Sequence, residues 1–268
     1  FSIRFPNEEL TAARPMQTTP LYDRMIEQGA VMGDSWAMET PLWFAPKGTE
    51  AKDVFSFHRS NDFEPIKAEV KAVREAVGVT EIANFAKYEI TGAGAEAWLL
   101  NVMTNSMPKK GRLVLTPMLN HQGKLIGDFT IAKADENRFL MWGSSQAQVY
   151  HMRWFETLLP KDGSVSIKPF GMKLVGLSIA GPKARQVLER LTDEDVSNQA
   201  FKFMDFKEMV LADVPAMVNR ITYTGDLGYE IWVSPEYERR LYEGIMAAGA
   251  DQGIRNFGMR ALLSMRLE

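Results

Sequence analysis

Apolar residues recur at Ile66, Val70, Val73 and Val77. That spacing lines one face of a helix and predicts helical structure over residues 63–77. The next segment, VTEIANFAKYEITGAGAEAWLLNVM (residues 79–103), reads as a strand running through a glycine turn into a helix. A second unit of the same kind, LVGLSIAGPKARQVLERL, occupies residues 174–191. Superposing IAGPKARQVL on ITGAGAEAWL pairs Gly181 with Gly92, Ala184 with Ala95 and Leu188 with Leu99. The repeat predicts two related subdomains, with a boundary near residues 160–175.

Between and after these units the period changes to two. Residues 112–120 turn at His121-Gln122-Gly123 into residues 124–133, and a third strand is predicted at 138–144. A later hairpin runs from residues 217–223 through Thr224-Gly225-Asp226-Leu227-Gly228 into 229–234. Helices are predicted at 150–159 and 236–252. Hairpins mixed with helices, without regular crossovers, indicate an α+β fold.

Residues 1–60 show no period, although they carry Pro20, Trp36, Pro41, Trp43, Phe44, Pro46, Phe55 and Phe57. A disordered linker would be poor in aromatics, so this stretch reads as an ordered arm laid on another surface. Within it only residues 19–28 look helical, with Pro20 in the first turn. Residues 61–268 form the domain proper. The chain begins with Phe1, and residues 260–268 read as a helix without a stop signal, so a piece of a longer protein is expected.

Composition narrows the chemistry. The 268 residues are 46% hydrophobic and 24% charged, as in ordinary globular proteins. Net charge is −3, and no Lys/Arg run exceeds two residues, as at Lys109-Lys110, which argues against a nucleic-acid partner. The absence of cysteine removes disulfides, thiolate-zinc sites and thiol nucleophiles together. No apolar run approaches the ~18 residues of a membrane span, and no leader pattern opens the chain, so no membrane partner is expected. His58, His121 and His151 lack metal-ligand spacing, and no metal site is expected. Gly92-x-Gly94-x-x-Ala97 matches a dinucleotide fingerprint, but ~20 positions on, where an acidic residue belongs, stand Gly111-Arg112-Leu113-Val114. The duplicated glycine turn is better explained by close strand-to-helix packing.

Two carboxylates interrupt strand patterns. Asp128 in LIGDFTIA shares a face with Ile126 and Thr130, and Glu230 in YEIWV lies on one face with Trp232. Each is compatible with a polar face turned to solvent. The rival reading is a carboxylate lining a cleft, where it could hold or accept a proton.

The segments GVTEIANFAKYEITGAGAEAWL, TPMLNHQGKLIGDFTIAK, SIAGPKARQVL and ITYTGDLGYEIWV resemble, in order and spacing, the glycine cleavage T-protein family of aminomethyltransferases. The T-G-[ED]-x-G-[YF]-E form is the most specific match. The arm resembles the connection between the flavin and folate parts of dimethylglycine and sarcosine dehydrogenases. The resemblance implies two of the three subdomains of a cloverleaf that holds tetrahydrofolate, the third, a β-barrel, being absent.

It further implies that Asp128 is catalytic and that Glu230, Tyr223 and Arg266 bind the folate. Gly127 and Ser144 depart from the family pattern, which commonly has Asp and Asn there. The implied activity is capture of an iminium or aminomethyl carbon as 5,10-methylenetetrahydrofolate. The carbon would come from an N-methylated amine oxidised by an FAD-containing dehydrogenase domain of the same chain. The implied location is the cytoplasm, or the mitochondrial matrix in a eukaryote. A stand-alone T-protein, another folate-dependent demethylase and a non-catalytic folate-binding regulatory protein are the alternatives.

Overall fold

A computed structural model describes residues 8–267. The first seven residues of the predicted arm, and Glu268 at the end of the predicted terminal helix, lie outside the described residues. The chain folds around two sheets. The first sheet contains β4 (Ala86–Thr91), β5 (Leu113–Leu119), β6 (Leu125–Asp135), β7 (Arg138–Gly143) and β8 (Ser166–Pro169), in the order β5-β6-β7-β4-β8. The helices α3 (Ala95–Val102) and α4 (Gln148–Leu158) belong to it. The second sheet has the order β10-β11-β12-β9-β3-β13. Its strands are β3 (Gly78–Glu81), β9 (Val175–Ala180), β10 (Phe206–Leu211), β11 (Val214–Asn219), β12 (Gly228–Val233) and β13 (Arg255–Asn256). Around it stand α2 (Phe63–Glu75), α5 (Ala184–Glu189), α6 (Pro235–Gly249) and α7 (Met259–Arg266). Antiparallel hairpins dominate both sheets, as expected for α+β.

The repeat is visible in backbone detail. Gly92 and Gly181 end corresponding strands at φ 121° and 130°. In each turn the amide three residues on, Ala95 or Ala184, donates to the glycine carbonyl at 3.0 Å. A Cβ on Gly181 would stand 2.6 Å from the Ala76 carbonyl oxygen, and one on Gly92 would collide with that of Ser164. Glycine is there because backbone crosses at contact distance.

Two hairpins escape the sequence pattern. In the arm, α1 (Tyr22–Glu27) is followed by β1 (Ala30–Ser35) and β2 (Met38–Phe44), joined through Trp36 and Ala37 at φ 55° and 67°. Likewise, β10 turns into β11 through Ala212 and Asp213 at φ 52° and 65°. Two-residue turns with both φ positive normally announce themselves by Asn-Gly or Asp-Gly. Here Trp-Ala and Ala-Asp take the left-handed conformation, each non-glycine residue at a cost of ~1 kcal/mol. The strand predicted at 217–223 accordingly lies earlier, at 214–219, and the predicted helices hold to within a few residues.

The arm is welded to the domain. Leu21 and Met25 enter the core of the second sheet. Glu69 of α2, almost fully buried, accepts hydrogen bonds from the amides of Phe44 at 2.7 Å and Gly258 at 2.9 Å. One carboxylate thus ties β2 to the start of α7, although burial pushes its pKa up to about 7.

Between the sheets lies a third apolar cluster containing Leu113, Leu140, Trp142, Phe206 and Trp232. The indoles of Trp142 and Trp232 stack at 5.8 Å. The sheets also join at their edges: Leu113 donates to Met204 O at 2.8 Å, Phe206 donates to Gly111 O at 2.9 Å, and Arg112 pairs with Asp205.

Behind this junction Glu81, Lys87 and Glu238 are buried together. Lys87 Nζ donates to Ala83 O at 2.5 Å, and its cation offsets one carboxylate. Burial drives both carboxyls upward, and the charge of Glu81 drives Glu238 further, so Glu238 holds a proton. A raised carboxyl pKa means that the native state keeps a proton which the unfolded chain releases above pH ~4.5, so stability falls as pH rises from there. Glu238→Gln supplies a permanently neutral isostere. Thermal melts should therefore show little change at pH 5 and a gain of roughly 2–6 °C at pH 8.

Candidate functional site

Strand alternation in β12 sends Tyr229, Ile231 and Val233 into the core of the second sheet and turns Glu230 and Trp232 to the opposite face. Glu230 stands in register between Asn219 of β11 and Ser178 of β9. Asn219, fully buried, donates Nδ2 to Glu230 Oε2 at 3.3 Å. Trp232 has room because its neighbour on β9 is Gly176, where a Cβ would lie 2.5 Å from the indole Cε3. Glu230 keeps part of its surface open, yet the protein around its carboxyl raises the pKa to about 7. Burial is the chief cause, opposed by the Asn219 hydrogen bond and by the nearby Trp232 indole.

A row of rings leads away from Trp232. Phe85 stands edge-on to Trp232 at 6.4 Å and to Tyr223 at 6.2 Å. The Arg266 guanidinium lies 4.8 Å from the centre of the Tyr223 ring, a cation–π contact. Burial raises the Tyr223 hydroxyl above its ordinary pKa, Arg266 pulls it back, and Asp128 pushes it up again. Asp128, exposed on β6, therefore acts on Tyr223 from the other sheet. Asp128 and Arg266 thus both act on the Tyr223 hydroxyl, and Phe85 leads from Tyr223 to Trp232, which shares a face of β12 with Glu230.

The turn that presents Tyr223 explains the glycines of TYTGDLGYE. Gly225 has φ 79°, and a Cβ on Gly228 would collide with the Ile179 carbonyl. Asp226 is held by Arg74 of α2 at 2.7 Å, and the Thr222 hydroxyl donates to Asp226 O at 2.6 Å. The motif is a scaffold for the tyrosine and for the strand bearing Glu230.

Phe85, Trp142 and Asn219 belong to this site without having been singled out in the sequence. Trp232 was legible beside Glu230 in YEIWV, whereas Asn219 and Phe85 gave no signal, since strand pairing places the first and the turn between β3 and β4 places the second. Ser144 is exposed just beyond β7. Among the described residues no group of three or more His, Asp or Glu side chains could hold a metal, and no helix is long and apolar enough to cross a membrane.

The family model for the GCVT N-terminal domain matches residues 21–268. The chain belongs to the GCVT N-terminal domain family. This GCVT domain is 37% identical over 268 residues to human mitochondrial dimethylglycine dehydrogenase, covering 99% of the chain and 31% of that protein. It is 34% identical over 237 residues to an aminomethyltransferase of Caldanaerobacter subterraneus, covering 86% and 62% respectively. It is also 31% identical over 275 residues to the mouse pyruvate dehydrogenase phosphatase regulatory subunit, covering 100% and 31%. Among solved structures, the glycine cleavage aminomethyltransferase T of Bartonella henselae superposes with a TM-score of 0.76 at 20% identity. It covers 94% of this chain and 62% of that one, which shows the shared fold. The GCVT domain thus spans about a third of the length of its dehydrogenase relative.

The Glu230 carboxyl is directly observable. Its carbon signal should titrate with a midpoint near pH 7. Asn219→Ala removes a donor that favours the charged form, so carbon-detected NMR should show the midpoint moving upward. A downward move would place the amide on the wrong side of the balance.

Proposed function

We propose that this GCVT domain is a tetrahydrofolate-dependent one-carbon transfer domain serving an amine-oxidising, FAD-dependent dehydrogenase domain of the dimethylglycine or sarcosine type. The observation that carries the reading is that Asp128 of β6, Tyr223 of the loop between β11 and β12 and Arg266 of α7 act on one another, with Glu230 beyond an aromatic row.

The residues suit a pterin. An ionised Glu230 offers two acceptor oxygens to the adjacent NH and NH2 groups of the pterin edge, a two-point match. Phe85 and Tyr223 supply flat apolar surface alongside, backed by the buried Trp232. Tetrahydrofolate would supply two nitrogens that bond to the carbon of an iminium in turn, as both bonds of that carbon to the amine nitrogen break, giving 5,10-methylenetetrahydrofolate and a protonated amine that carries both displaced protons. Asp128 would accept a proton from an attacking nitrogen and pass it towards the departing amine, so the balance closes without a further reactant. As a carboxylate it also stabilises the positive charge that develops on that nitrogen. Arg266, placed over the Tyr223 ring, steadies the ring whose hydroxyl feels the charge of Asp128.

A second reading follows from the regulatory-subunit relative: folate binding on the same fold without catalysis. A third, suggested by the Caldanaerobacter relative, is a stand-alone aminomethyltransferase acting on a lipoate-loaded protein. Product formation separates the second reading from the first, and assay with a lipoylated partner separates the third.

With the chain in its natural polypeptide, Asp128→Ala should lower 5,10-methylenetetrahydrofolate formation by about 10²–10³-fold and leave the melting temperature in place. Undiminished product formation in this variant would sink the assignment. Tetrahydrofolate binding by the wild type should tighten from pH 6 to pH 8, because Glu230 must lose its proton to accept both donors. Glu230→Gln should weaken binding roughly tenfold at pH 8 and abolish that pH dependence, as calorimetry at the two pH values would show.

A further inference from the structure

Gly127 precedes the proposed catalytic carboxylate on β6, and something else fills its place. A Cβ there would lie 2.5 Å from Nε2 and 2.8 Å from Cε1 of His151. His151, in the first turn of α4, is 1% exposed. Its ring packs edge-on against Phe129 at 4.8 Å, and Nε2 stands 3.3 Å from the Ile126 carbonyl oxygen. A carbonyl only accepts, so the proton sits on Nε2 and Nδ1 is bare, which agrees with Nδ1 being buried without a partner. Burial pushes the imidazole below its ordinary pKa, against the pull of the Ile126 carbonyl and the charge of Asp128. The ring is neutral, with its tautomer set by one bond.

The strand needs that bond. Met118 pairs with Gly127 but Leu119 pairs with Leu125, which leaves Ile126 as the extra residue of a bulge. Asp128 itself lies opposite Pro117, whose backbone is turned away from β6, its carbonyl accepting from Thr104 N at 3.1 Å, so that this pair exchanges no backbone bonds. Pairing with β7 starts only at Phe129, opposite Gly143. Backbone pairing therefore fixes the strand poorly at the very residue whose side chain matters. Bulges beside sites are devices that re-aim a side chain, and they hold a direction only when their unpaired groups are satisfied.

We propose that His151 is a positioning residue for Asp128: seated in the notch left by Gly127 and bonded to the bulged Ile126 carbonyl, it sets the direction of the strand that carries the carboxylate. Alternation puts Asp128 on the opposite face, so the ring acts through the backbone. An imidazole at 151 and a side chain at 127 exclude each other, which gives a physical reason for glycine at 127. The inference rests on Asp128 being the proton-handling group.

The test uses the natural full-length polypeptide, with kcat, the KM for tetrahydrofolate and the melting temperature measured for each variant. His151→Phe keeps a ring in the notch and deletes the donor, whereas His151→Gln returns an amide nitrogen near the position of Nε2. His151→Phe should lower kcat about tenfold with KM within twofold, and His151→Gln should recover most of kcat. Full activity in His151→Phe overturns the inference, as does an equal loss in both variants. Should His151→Phe not fold, Gly127→Ala decides. Its methyl must displace the ring, so kcat should fall with KM retained, and an unchanged kcat is the refuting result. A harmless Asp128→Ala removes the reading of Asp128 itself, whereas an inactive Asp128→Ala beside a fully active His151→Phe removes only the role of His151.

Discussion

The stack of Trp142 on Trp232 sets the spacing of the two sheets, and the candidate site is a consequence of that spacing. Asp128 belongs to one sheet and Glu230 to the other, so no local feature of either strand can bring them into one site. Each indole buries ~150–250 Å² of surface, with Gly176 supplying the clearance on β9. Lys87, tethered to the Ala83 carbonyl, places its cation 5.8 Å from the Trp232 ring on the inner side. The rigid part of the site is therefore aromatic and lies between the sheets. The titratable groups of the candidate site are arranged around it.

Burial raises the pKa of several carboxyls in this domain, and the shift alone does not say which of them is functional. Partners distinguish them. Glu69 is spanned by two backbone amides from different elements, so its hydrogen bonds are committed to holding β2 against α7. Glu81 and Glu238 face each other and Lys87 in a closed cluster, where the proton serves neutrality. Glu230 has one weak side-chain donor in Asn219 and an indole nearby, with the rest of its acceptor capacity uncommitted. A buried acceptor with spare lone pairs, at the end of a row of rings, is what a planar donor edge would select.

Elements with a regular period were legible in the sequence: the α2 face of Ile66, Val70 and Val73, both glycine turns, and the strands around Asp128 and Glu230. The hairpins through Trp36-Ala37 and Ala212-Asp213 were not, because their turns adopt left-handed geometry without the residues that usually permit it. Asp128 and Glu230 could be noticed as carboxylates out of place on strands, but their environments could not. Whether such a side chain meets solvent or a cleft depends on the opposing sheet. Asn219, Phe85 and His151 come to the site from other strands, loops and helices, and nothing in their immediate sequence marks them. Gly127 was visible as a departure from a family pattern, while its cause lies in α4, more than twenty residues away.

The joint between β5 and β10 carries a further consequence. Each is the outermost strand of its sheet, and an outermost strand with free amides and carbonyls is a template for pairing with another molecule. Here the start of one is bonded to the segment leading into the other through Leu113, Met204, Gly111 and Phe206, with Arg112 and Asp205 placing charge at the seam. Further along, Pro117 denies β5 a donor that a neighbouring chain would need. There the Pro117 carbonyl is already taken by the Thr104 amide at 3.1 Å, so the outer edge of β5 is closed near both of its ends against another chain.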